Sequence, residues 1–321
     1  MTILENLTWR RRWCAHMGAI KGCLEYLGSD ISYPWLYGGT AHALVMNTAP
    51  DRLEAGPTFW RPTFIPALAP NLGFRLDGIF AGKERDESTD YPERQREAWD
   101  LVRAAIDRGL PCIGWELHPF NPDWYVIYGY DEVGYYYSGW ESSQKHGPLP
   151  WQRLGDMEVR FISVWAVSLC EPQPPQEIVR AAFEVALRHA HDPGEWLYPG
   201  FIAGPAGLAH WAETLATGTA LRQASSYVAL FWSECRGEAV PFLEDAAAYV
   251  PRTAAAHLRQ AAVDYAVTRD ALGALAVLHP MDVSGDWEER FRSPDAAALI
   301  RQAEAAERDA LEQLERALAA R

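Results

Sequence analysis

No stretch of this 321-residue chain is apolar for long enough to cross a bilayer. Its first residues also lack the basic-then-apolar pattern of an export signal. Basic residues are scarce, 29 Lys and Arg against 43 Asp and Glu, a formal charge of −14. After Arg10-Arg11-Arg12 no basic run occurs, which argues against nucleic acid and anionic membrane surfaces as partners. Cysteine is sparse too: Cys14, Cys23, Cys112, Cys170 and Cys235 form no CxxC pair, so neither a disulfide framework nor a zinc site is expected. Five unpaired thiols fit a reducing compartment, and a soluble cytoplasmic protein is expected. The glycines supply no phosphate loop. Gly38-Gly39 has no Gly-Lys-Ser/Thr after it, and Gly200 to Gly207 lacks the strand-before, acidic-after setting of a dinucleotide fingerprint.

What the chain does have is core-forming material. Half of it is hydrophobic, with 14 Trp and 14 Tyr, enough for two modest domains. Met17, Ile20, Leu24 and Leu27 recur at helical spacing after Cys14, with Gly28 as a C-cap. Tyr37-Gly38-Gly39-Thr40 reads as a glycine turn, and 82–90 as a charged loop. A helix is expected over 92–108, with Trp99, Val102 and Ile106 as its buried stripe and Gly109 as its end. Strand-like runs follow at 111–115, 124–128, 135–137 and 159–167, with Asp131 to Gly134 as a hairpin turn. The proline cluster Glu171 to Pro175 marks a composition change. Beyond it come only helices, at 176–189, 206–217, 221–245, 252–278 and 294–320, the last opened by Ser293-Pro294. The fold class is α+β: an α/β domain over 1–171, then an α-helical domain over 172–321. The helical domain is a candidate surface for a homo-oligomer.

Cys14 has the strongest chemical setting. A thiol at a helix N-terminus meets unpaired N–H groups and the positive end of the helix dipole, which favour the thiolate. The run Cys14-x-x-x-x-Ala-Ile-x-x-x-Leu-x-Tyr-Leu-Gly28, the segment Gly109-Leu-Pro-Cys-Ile113 and the strand end Gly129-Tyr130-Asp131 resemble bacterial families of the papain-like cysteine peptidase superfamily. Among these are the double-glycine leader peptidases and the N-terminal domain of butirosin-biosynthesis acyltransferase-like proteins, whose glycine turn Tyr37-Gly38-Gly39 also resembles. The resemblance covers the first half of the chain. It implies a papain-like fold with Cys14 as nucleophile.

The partners that the resemblance implies are not where it puts them. The base, a His six residues before Gly129, is Asp123 here. The orienting Asp is absent near Gly139, and no Gln lies between Leu7 and Trp13 to donate to an oxyanion. A carboxylate at Asp123 would raise the Cys14 pKa rather than lower it. A rearranged pair, Cys14 with His118 and with Glu116 or Asp131 as orienter, is the catalytic alternative. His16 and His42 are further imidazoles of the same half, and Glu116 with Asp123 is a candidate carboxylate pair. His189-Ala-His191 points to two faces of one helix and reads as a solvated helix end rather than a metal pair. Candidate pocket residues are Tyr37, Gly38, Gly39, His42, Trp115, Glu116 and Trp124. Three functions follow: a degenerate papain-like protein that binds a small molecule or peptide without turnover, a Cys14-dependent hydrolase or acyltransferase with His118 as base, or an oligomeric scaffold. None calls for a cofactor or metal.

Overall fold

A computed structural model describes residues 1–49, 63–82, 91–119, 121–140, 145–156, 161–197 and 200–320. The chain forms two compact units, one from Met1–Ser32 with Gly73–Pro172, the other from Tyr33–Leu72 with Gln173–Arg321. The sequence places one boundary after residue 171; in the structure, Tyr33–Leu72 groups with the C-terminal helices instead of with the sheet. No helix among the described residues is long and apolar enough to cross a membrane.

The first unit is a seven-stranded antiparallel sheet with two long helices. Its strands are β1 (Thr2–Ile3), β3 (Phe74–Gly82), β4 (Cys112–Trp115), β5 (Trp124–Tyr130), β6 (Gly134–Ser138), β7 (His146–Pro150) and β8 (Phe161–Leu169). Their order is β3-β8-β4-β5-β6-β7, and β1 pairs with β5 at Thr2↔Tyr130. The β5–β6 hairpin turns where Asp131 and Gly134 were expected to turn it, with the Asp131 N–H donating to the Gly134 carbonyl at 3.1 Å. β3 escapes the periodicity reading because Asp77 and Gly78 are poor strand formers. It forms by pairing with β8 along its whole length, from Phe74↔Leu169 to Gly82↔Phe161. The loop expected over 82–90 lies, beyond Gly82, outside the described residues.

Helix α1 (Ala15–Tyr26) begins after Cys14 and packs on β4, β5 and β8. It ends at Gly28, whose φ of +84° lets the Ser29 N–H reach back to the Leu24 carbonyl at 2.9 Å. Helix α4 (Tyr91–Asp107) buries Trp99, Val102 and Ile106 against the sheet, as the stripe predicts. The N-terminal segment lies directly on the glycines of α1. A Cβ at Gly18 would stand 2.0 Å from the Arg10 carbonyl oxygen, and one at Gly22 2.1 Å from that of Thr8. Both obstacles are backbone and cannot swing aside, so Gly22→Ala is expected to destabilise this unit by about 1–3 kcal/mol. The urea-unfolding midpoint checks this, with Gly28→Ala as a contrast, where a side chain meets no neighbour and only the positive φ is strained.

The second unit is mainly helical: α2 (Tyr33–Gly39), α3 (Phe64–Leu68), α5 (Pro175–His191), α6 (Gly204–Thr217), α7 (Arg222–Ala246), α8 (Arg252–Leu278) and α9 (Pro294–Ala319). Two expectations are corrected here. Tyr37-Gly38-Gly39 is the end of a helix, not a turn, because Gly38 lets α2 close on α7, where a Cβ would stand 2.1 Å from the Phe242 ring. The C-terminal half also contains a strand, β9 (Ile202–Ala203), which pairs antiparallel with β2 (Asn47–Thr48). α7, α8 and α9 pack in succession, and α6 lies on α9. The Ser293 hydroxyl caps α9 by accepting from the Ala296 N–H at 3.2 Å.

Candidate functional site

At the start of α1 the Cys14 thiol is almost closed off from solvent, at 1% exposure. Two residues on, His16 stacks on Trp124 of β5 with ring centroids 3.9 Å apart. Trp124 pairs across the ladder with Trp115 of β4, and their rings meet edge to face at 5.8 Å. The Glu116 N–H then donates to the Asp123 carbonyl at 2.8 Å, carrying the ladder one step past the tryptophans. Glu116 is buried and takes a left-handed φ of +54°, an uncommon conformation for a residue with a side chain. Cys14, His16, Trp115, Trp124, Glu116 and Asp123 therefore belong to one end of the sheet, gathered by the start of α1 and the end of the β4–β5 hairpin.

Asp123 accepts from the Trp124 N–H at 2.8 Å through Oδ1. Burial nevertheless pushes its carboxyl pKa up to about 7, so at neutral pH it is only partly ionised. Next to Cys14, Trp13 and Trp140 are both half-exposed, with rings 5.4 Å apart, and the Arg11 guanidinium lies 4.6 Å from the Trp140 ring centre. Trp13 gave no signal in sequence, since its neighbours carry no strand or helix pattern.

His118 lies on the loop between Glu116 and Asp123, and the other remaining candidates fall elsewhere. His118 lies with its ring centre 5.0 Å from that of His146 and 6.4 Å from that of Tyr137. His146, on β7, was not foreseen, and its ring stacks on Tyr137 at 5.3 Å. Asp131 holds the β5–β6 turn, accepting from the Val133 N–H at 2.8 Å, the Gly134 N–H at 3.1 Å and the Tyr136 hydroxyl at 2.9 Å. Those bonds, that from Val133 foremost, hold its carboxyl below its ordinary range. It stands at the opposite end of β5 from Trp124, about 20 Å away at strand rise, and so does not orient a base near Trp124.

Tyr37, Gly38, Gly39 and His42 belong to the helical unit, not to the unit that carries Cys14. There His42 Nδ1 lies 3.7 Å from the Cys235 sulfur, and the Tyr37 hydroxyl donates to Glu234 at 2.7 Å. Arg236 and Glu307 form a fully buried pair through bonds of 2.5 and 2.9 Å, and the guanidinium also donates to the Ala43 and Val45 carbonyls. Burial drives His42 and His189 down to about 3, so both are neutral. His189 is buried and His191 exposed, the latter 2.8 Å from Glu315. The two do point to different faces, but only His191 is solvated. Among the described residues no group of three His, Cys, Asp or Glu is placed to hold a metal ion.

No protein-family model matches the chain, and a search of curated proteins finds no match.

Proposed function

We propose that the sheet unit is a degenerate papain-like domain that binds a small molecule or peptide beside the start of α1 without turning it over. The observation that carries this reading is the closure of Cys14: a thiol with 1% of its surface open cannot attack a substrate carbonyl. Two features support it. The position that the resemblance gives to the base holds Asp123, an acid that, unlike an imidazolium, leaves no positive charge to hold a thiolate. The half-exposed indoles of Trp13 and Trp140, with Arg11 over one of them, offer a stacking surface for aromatic or peptide groups.

Iodoacetamide labelling against pH, read by peptide mapping, tests the reading. Of the five cysteines only Cys170 is more than marginally exposed, so it is expected to be alkylated first at pH 7 in the folded protein. Cys14 is expected to remain unmodified there. Alkylation of Cys14 below pH 7, abolished by His118→Ala, would replace this reading with that of a thiol-dependent hydrolase or acyltransferase.

A further inference from the structure

Helix α8 has two apolar faces where a surface helix has one. Leu258, Tyr265, Leu272 and Leu275 are closed off from solvent on the side that packs against α7 and α9. A step of two residues turns about 200° around a helix, so Val267, Ala274 and Val277 stand opposite the last three of them. Ala256 and Val263 complete that outer row. Val263 is 57% exposed and Val277 79%, and Ala256 and Ala274 are open as well. The neighbouring α9, of almost the same length, shows what a solvent face otherwise carries here: its open positions include Arg301, Arg308, Asp309, Glu312 and Glu315. A helix that is apolar all round is one that is covered on every side, and among the described residues nothing covers the outer row of α8.

The row has the spacing of a seam between helices. From Ala256 to Val277 its members, with Gln260 and Asp270 included, alternate four and three residues apart, the repeat that keeps one stripe against a partner helix. It is self-complementary in one direction only. Two parallel copies would set Asp270 against Asp270 in the middle of the seam. In antiparallel copies related by a two-fold axis, seating Val263 on Val267 of the second copy also seats Ala256 on Ala274 and brings Gln260 opposite Asp270. Arg259, next to Gln260, is exposed and has no ion pair among the described residues. The Asp270 carboxylate uses Oδ1 on its own Arg269 at 2.8 Å, which leaves Oδ2 for the Arg259 guanidinium of the second copy. Symmetry makes that contact twice. Long-range charge does not oppose it, since α8 holds three arginines and two aspartates within a chain of net charge −14.

We propose that the outer face of α8 is a homodimer interface, closed by a second copy of the chain whose α8 runs antiparallel to the first. The proposal concerns the helical unit alone and does not depend on the reading of Cys14.

Sedimentation velocity of the full chain, from micromolar to near-millimolar concentration, tests it. The wild type is expected to pass from monomer to dimer across that range. Val263→Lys, at an exposed position, is expected to stay monomeric and to melt as the wild type does at concentrations where both are monomers. Asp270→Arg is expected to weaken the dimer at least about tenfold, since each Arg259 then faces a second cation, and adding Arg259→Asp to it is expected to restore the dimer. A wild type that stays monomeric throughout would leave the face to another occupant and overturn the proposal. So would a dimer that Val263→Lys leaves unchanged, or a double variant no tighter than Asp270→Arg alone, since either result places the contact elsewhere or in another register.

Discussion

Replacing Arg236 by methionine is expected to cost the helical unit about 3–5 kcal/mol, the penalty for leaving one member of a buried ion pair alone. The side chains of Arg236 and Glu307 are 0% and 1% exposed, so water cannot take over the lost bonds. The same substitution strips donors from the Ala43 and Val45 carbonyls, so it also loosens the stretch that leads into β2. Arg236→Met combined with Glu307→Leu removes both charges and is expected to recover much of the loss, although the two carbonyls stay unmet. Urea-unfolding midpoints of the two single variants and the double variant close the cycle. A single variant within about 1 kcal/mol of wild type would show that the pair contributes little, as many exposed pairs do.

The sequence made this pair hard to anticipate, and the reason is general. Arg236 and Glu307 are 71 residues apart, and His42 and Cys235 are 193 apart, with no local period linking either couple. Short-range signals served better. The turn at Asp131 to Gly134, the end of α1 at Gly28 and the cap at Ser293 each depend on residues a few positions apart, and each is read from side-chain chemistry alone. The errors arise where packing overrides propensity. Gly38-Gly39 looks like a break until Phe242 closes on it, and the strand around Asp77-Gly78 gives no signal until β8 pairs with it. At the candidate site, the position of Cys14 before a helix was legible from spacing. The closure of its thiol was not, because closure depends on how the preceding residues and the sheet fold over it. The glycine face of α1 that receives the Thr8–Arg10 backbone was equally silent in the letters.

Acidification from pH 7 to pH 5 is expected to cost the helical unit on the order of 2 kcal/mol for each of its two buried histidines. His42 and His189 are held near 3, by burial first and then by the positive charge of Arg236; His42 is further lowered by His189, against a raising backbone hydrogen bond. Their unfolded values lie near 6.5. Below that pH the unfolded chain takes up protons that the folded one refuses, so stability is full above about 6.5 and falls as the pH drops toward 3. Asp123 in the sheet unit runs the other way. Its folded value is raised to about 7, so its penalty is present above pH 7 and relieved as pH falls from 7 toward 4. Urea midpoints between pH 5 and 8 should therefore show an acid limb that flattens in His42→Gln and His189→Gln, whatever those variants cost at pH 8. Asp123→Asn should raise the sheet unit's stability at pH 8, leave it little changed at pH 5, and so steepen rather than flatten its fall with acid. An acid limb equally steep in both histidine variants would assign the proton uptake to other groups and show that neither imidazole is sealed from protons in the fold.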